Sequence, residues 1–232
     1  MEEKPVDEQV DTHHAAVLSA RDRVVAANRR VLASIFGVVR LLARLCLPFR
    51  GDDERSKNKG VFLEVIHHLA ENGNQSLKEH LLNAPRNARY ISHRIQNEMI
   101  RIIGDAIKNE IIRKISKAKI FTIMMDETRD LSHRDQVIVV IRFVNKQTSQ
   151  IEERLLTLVT ADEKTGESLE ALLLSVLETH NLSVSNIVGQ GYDGGSNFAG
   201  IFEGVQARIL AKNEVAMFIH CFAHSLNRAL VG

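Results

Sequence analysis

The chain is short of cysteine: Cys46 and Cys221 are the only two among 232 residues. Two thiols so far apart cannot build the disulfide framework of a small secreted domain. A charge imbalance is also missing. Thirty Lys and Arg stand against 29 Asp and Glu, a formal net charge of +1. No bulk field therefore draws the chain to nucleic acid or to an anionic membrane, and any DNA contact has to come from a local basic patch. Nor is there an export signal, because the acidic start Met1-Glu2-Glu3-Lys4 leads into no apolar core. The protein is expected not to be secreted, and the Asn-x-Ser triplets at Asn74 and Asn181 are expected to be chance matches. Finally, no clean membrane-length apolar run exists. Val31 to Phe49 comes nearest, but Arg40 and Arg44 interrupt it, at about 2.5–3.5 kcal/mol of insertion cost each.

What is present is the composition of a folded soluble protein, 44% hydrophobic and 25% charged. The apolar spacing predicts a first half made of helices. One runs from Thr12 to Leu47, with Val24, Val31, Ile35, Val38, Leu42 and Leu45 recurring at three, four and seven, and Pro48 stops it. Its apolar face calls for a partner, inside the chain or on another protein. A polar linker follows at 50–60, then helices at Val61–Glu71 and Leu77–Leu82, and a longer one over Ser92–Lys119. After Lys119 the period changes to that of strands. Ile120–Met125, Gln136–Phe143 and Ile151–Thr160 form a meander, and Asn145–Ser149 is of hairpin-turn length. A helix from Thr165 to His180, a strand at Val184–Val188, a helix at Phe198–Lys212, a strand at Val215–Ile219 and a helix start at His220–Leu230 complete the pattern. Helical crossovers after the third strand require the later strands to be parallel. The expected fold is α/β: a ribonuclease-H-like mixed sheet, incomplete, over 119–232, preceded by an α-helical N-terminal segment at 1–49 and a helical region at 50–118.

Such a sheet brings the ends of its first and fourth strands side by side. Asp126 follows the first and Asp193 the fourth. Paired carboxylates there are hard-oxygen ligands suited to Mg²⁺ or Mn²⁺, the ions that assist phosphodiester chemistry. A third carboxylate is usual in such sites. The competing interpretation gives both acids structural work, with Asp126 capping a turn and Asp193 binding the amides of the glycine-rich stretch. That stretch, Gly189-Gln190-Gly191-Tyr192-Asp193-Gly194, also fits the G-x-G-x-x-G pattern of dinucleotide-binding turns, with Glu214 at the distance of a ribose ligand. Against it, the pattern follows the fourth strand instead of opening a βαβ unit. Cys221 and His224 form a C-x-x-H, read either as half of a zinc site or as a packed helix start. The cationic stretches Arg86–Arg94 and Arg113–Lys119 could meet phosphates or simply face solvent.

Four ordered motifs resemble the hAT-superfamily transposases, in the branch of the MYM-type zinc-finger proteins and the domain DUF4371. They are Asp126-Glu127-Thr128; Gly189-Gln190-Gly191-Tyr192-Asp193-Gly194-Gly195-Ser196-Asn197; Gly204-Val205-Gln206-Ala207-Arg208; and His220-Cys221-Phe222-Ala223-His224-Ser225-Leu226-Asn227. Phe49-Arg50-Gly51-Asp52-Asp53-Glu54 resembles the start of that branch, and the likeness spans about Asn28 to Leu230. It implies a nuclear, transposon-derived protein whose partners are DNA at transposon ends and whose core uses Mg²⁺ or Mn²⁺. It puts Asp126 and Asp193 on the first two catalytic, metal-binding acids. Gly191, Gly194, Asn197, Cys221 and His224 fall on the supporting motif positions. The third acid, a glutamate beyond a helical insertion, has no counterpart before Gly232, so the site is expected to be incomplete and activity is left open. The alternative is a domesticated, non-catalytic protein that binds DNA or protein, or pairs with its own kind through the N-terminal helix.

Overall fold

A change of period at Lys119 separates helices from sheet, and the backbone follows it. The structure is a computed structural model that describes residues 6–51, 59–129 and 133–231. Asp52, Asp53 and Glu54, most of the expected linker and part of the expected turn at 126–135 lie outside those residues. The chain divides into two compact units, 1–105 and 106–232.

In the first unit, α1 (Val6–Arg44), α2 (Val61–Glu71), α3 (Gln75–Asn83) and the first half of α4 (His93–Ala118) pack together. The stripe on α1 does find a partner, and it lies inside the unit. Val31, Ile35, Val38, Val39 and Leu42 are buried with Phe62, Ile66, Leu77 and Met99. That leaves Val24 and Val25 as exposed apolar side chains nearer its start. Gly73, at φ +114°, gives the left-handed turn after α2, and Asn74 Oδ1 caps α3 by accepting from Leu77 N at 3.0 Å. The helix α1 starts earlier than expected, at Val6. No helix among the described residues is long and apolar enough to cross a membrane.

The second unit is built on five strands: β1 (Phe121–Arg129), β2 (Asp135–Val144), β3 (Ile151–Thr160), β4 (Ile187–Tyr192) and β5 (Met217–His220), in the order β3-β2-β1-β4-β5. The first three run antiparallel, and β4 and β5 run parallel to β1. This is the ribonuclease-H-like arrangement that the sequence predicts. Alternate residues Ile123, Met125, Val137, Val139 and Ile141 turn to one face. There they are buried with Leu169, Leu173 and Leu177 of α5 (Gly166–Thr179) and Val205 and Ile209 of α7 (Val205–Lys212). Near β3, Glu152 binds Lys114 at 3.2 Å and Asn145 Nδ2 at 2.5 Å. The amide first, then Lys114 and Arg154, hold its carboxyl down at about 2.

Three expectations change. The strand β1 does not stop at Met125 but pairs on to Arg129 opposite Asp135, so Asp126 lies inside it. The helix expected over Phe198–Lys212 is broken into α6 (Ser196–Ala199) and α7. Between them the chain folds back on two glycines, where a Cβ on Gly204 would lie 2.4 Å from Gly200 N. The fourth strand begins at Ile187, after a 3₁₀ turn at Val184–Asn186, so Gly189 and Gly191 are strand residues and not the turn.

Candidate acidic site at the parallel junction

The pairing register carries the site. Met124 of β1 stands opposite Gly191 of β4, and Gly191 stands opposite Ile219 of β5. Side chains alternate faces along a strand. Counting two residues further on each strand puts Asp126, Asp193 and Cys221 level, in a row, on the face opposite the buried core. Cys221 N donates to Tyr192 O at 2.8 Å, which continues the β4–β5 ladder to that row. All three residues line one cavity of about 340 Å³, together with His224.

The glycines have a different job from a turn. Neither Gly189 nor Gly191 adopts a left-handed φ. Both face the cavity side, where a Cβ at Gly189 would meet Thr122 Oγ1 at 2.9 Å and one at Gly191 would meet Met124 Cγ at 3.3 Å. Their missing side chains let β1 lean across β4 and keep the face beneath the carboxylates open. Between them Gln190 points to the core, where its Nε2 donates to Gln206 O at 3.1 Å and Ala216 O at 2.9 Å. The motif Gly-Gln-Gly is therefore small-polar-small for three packing reasons. It forms no phosphate cradle: the glycines sit within the ladder, and the helix that follows, α6, has only four residues.

The two acids are held differently. Asp193 Oδ1 accepts from Gly195 N at 3.1 Å, the Asx turn that the structural interpretation anticipates. Asp126 caps nothing. It is exposed, sits in mid-strand, and its side chain makes no hydrogen bond to the described residues. Its neighbour Glu127 alternates to the other face, where Oε1 accepts from Asn197 Nδ2 at 2.7 Å and Oε2 lies 3.2 Å from Lys164 Nζ. Asn197 and Glu127 were legible as motif positions; that they bond to each other was not, because only the strand pleat decides which of two adjacent acids faces the cavity, and nothing in the sequence pointed to Lys164 as the second partner of Glu127.

Cys221 precedes α8 (Phe222–Val231) as its N-cap residue, and Ser225 N bonds to its carbonyl at 3.0 Å. The amide of His224 and then its ring stabilise the thiolate, so the thiol titrates below the usual cysteine range. The His224 imidazole is raised in turn, by the bond to Cys221 first and then by the charges of Asp126 and Asp193. The four side chains thus form one electrostatic unit. Among the described residues no group of three or more His, Cys, Asp or Glu is spaced to hold a metal ion. Two carboxylates lining one cavity are the donor type that a hard cation such as Mg²⁺ takes, one or two of them commonly sufficing with water and phosphate oxygens in the rest of its shell.

The family model DUF4371, described as "ZMYM1/FAM200, RNase-like domain", matches residues 2–204. The human protein named "52 kDa repressor of the inhibitor of the protein kinase" is 23% identical over 206 residues, and its mouse counterpart is 21% identical over 205. Each alignment covers 86% of this chain but only 27% of the relative, so the chain spans about a quarter of those proteins.

Proposed function

The chain belongs to the DUF4371 family, a transposase-derived RNase-like domain, and on that premise we propose that Asp126 and Asp193 hold a divalent cation, Mg²⁺ or Mn²⁺, against a DNA phosphate. The observation that carries this reading is that both carboxylates line one cavity, each two residues past the last β1–β4 pair, Met124 and Gly191. Asp126 supports it further, since the fold gives that charge no hydrogen-bonding partner among the described residues. A bound cation would supply Lewis-acid polarisation of a phosphodiester oxygen. The chain's own part is to bind and orient: Asp193 is fixed by the Gly195 amide, and Asp126 is fixed by its place in β1. Gly189 and Gly191 leave the face beneath clear, and the bond to Cys221, then the charges of both acids, raise the His224 imidazole beside them. In this reading the chain binds a divalent cation and DNA in the nucleus.

Mn²⁺ titration of the wild type and of Asp126→Ala and Asp193→Ala, with and without a DNA duplex, tests the proposal. Loss of Mn²⁺ affinity in both variants is expected; equal affinity in all three proteins refutes the metal reading. A second reading has its own observation. Ile219 on β5 and Phe222, Leu226 and Leu230 along one side of α8 are large and exposed, and the curated relatives carry the word repressor in their names. In that reading the domain works as a non-catalytic docking module. It predicts that Asp126→Ala leaves DNA or protein binding intact while Leu226→Glu abolishes it.

A further inference from the structure

The β1–β4 ladder ends at Met124 and Gly191, two residues short of the acids whose spacing a shared cation would need. Something beyond the ladder has to hold Asp126 and Asp193 level. Resting on the reading of those acids as a cation pair, we propose that Glu127, Asn197 and Lys164 are positioning residues that clasp the two strand ends together, and so set the spacing of the carboxylates and their affinity for the cation.

The contacts form a continuous path from one acid to the other. Glu127 is the residue after Asp126 and faces the opposite side of β1. Its Oε1 accepts from Asn197 Nδ2 at 2.7 Å, across 70 residues of sequence. The Asn197 side chain lies against Gly195, where an added Cβ would sit 2.6 Å from Asn197 Oδ1 and 3.2 Å from Asp193 Oδ1. The Gly195 amide in turn donates to Asp193. Lys164, in the connection between β3 and α5, bridges Glu127 Oε2 at 3.2 Å and Asp135 Oδ1 at 3.0 Å. Arg129 Nε completes the set, donating to Asp135 Oδ1 at 3.0 Å. Glu127 is largely enclosed, with 22% of its side chain exposed, so its geometry is fixed by these partners and not by solvent. A carboxylate held at both oxygens by an amide and an ammonium is a rigid strut. Outer groups of this kind change metal affinity by about 10- to 100-fold when removed.

The test uses the full chain with Mn²⁺ as probe. Asn197→Ala and Lys164→Met are expected to weaken Mn²⁺ binding about tenfold, with the metal-free melting temperature near that of wild type. Lys164→Arg, which keeps the bridge, is expected to restore affinity. Glu127→Gln keeps the acceptor for Asn197 but loses the ion pair, and falls between. If Asp126→Ala abolishes binding while Asn197→Ala and Lys164→Met bind as wild type, the clasp is refuted and the cation pair stands. If Asp126→Ala binds as wild type, the cation pair is refuted, and a metal-free arm judges the clasp alone. In that arm Asp126→Cys and Asp193→Cys are combined with Cys46→Ser and Cys221→Ser, and the rate of disulfide closure is followed. Closure slowed about tenfold by Asn197→Ala supports the clasp, since closure depends steeply on strand-end spacing; an unchanged rate refutes it.

Discussion

Replacing Asp126 with Asn separates a carboxylate kept for binding from one kept for folding. Asp126 and Asp193 line one cavity, each two residues past the last β1–β4 pair, and neighbouring strands lie about 4.8 Å apart. Two like charges at that distance repel by about 1 kcal/mol in a water-like dielectric, the appropriate limit for the exposed Asp126. Asp126→Asn removes that repulsion and breaks no hydrogen bond to the described residues. It also takes one stabilising charge from His224, which offsets part of the gain. The metal-free variant should therefore be as stable as wild type or up to about 1 kcal/mol more stable, a rise of up to roughly 4 °C for a unit of this size. Wild type at a hundredfold excess of Mn²⁺ over its dissociation constant should gain about 2.7 kcal/mol, and the variant almost nothing. Thermal unfolding followed by circular dichroism, in EDTA and in Mn²⁺, reads both quantities. A metal-free Asp126→Asn that melts well below wild type, yet keeps the Mn²⁺ gain, would refute the reasoning, because Asp126 would then hold the fold and not the ion.

Other outcomes follow from single contacts. Alkylation of Cys221 by iodoacetamide, measured in a Cys46→Ser background, should reach half its plateau below the pH expected of an ordinary thiol, because the folded state favours the thiolate. His224→Gln should move that midpoint upward, and an unmoved midpoint would contradict the Cys221–His224 bond. Gly204→Ala should cost about 2 kcal/mol or more in urea unfolding of the sheet unit, since its Cβ would meet the Gly200 backbone at 2.4 Å. Gly37→Ala, in mid-helix with nothing within 4 Å of the added Cβ, should instead stabilise the helical unit by about 0.5–1 kcal/mol.

The order of elements was readable because the apolar period switches sharply at Lys119 and because helical crossovers force parallel strands. The same topology rule made the meeting of Asp126 and Asp193 readable from their places after the first and fourth strands. What the letters could not show was orientation. A glycine that makes a turn and a glycine that leaves room for a crossing side chain look alike in sequence, so Gly189 and Gly191 pointed to a turn that the ladder does not contain. Asp126 and Glu127 are adjacent acids of equal promise, and the pleat alone sends one to the cavity and the other to Asn197. The break between α6 and α7 was hidden for a related reason. Phe198, Val205 and Ile209 keep a helical spacing across Gly200 and Gly204, and only the near-contact of those two glycines interrupts it.

The contrast among the acids of this unit gives the site its meaning. Glu152 is tied to Asn145, Lys114 and Arg154, Asp135 to Arg129 and Lys164, Glu170 to Arg208 and Lys212, and Glu127 to Asn197 and Lys164. Each of those charges is matched where the fold puts it. Asp126 is placed as tightly as any of them, inside a strand paired on β2 along its full length, but its charge is left open to a cavity and faced by a second carboxylate. Two like charges on neighbouring strands repel, and a polar neutral residue at 126 would remove that cost, less the attraction between Asp126 and His224, without disturbing the ladder. A fixed strand position combined with a carboxylate that has no hydrogen-bonding partner among the described residues is the arrangement expected of a ligand for a cation from solution.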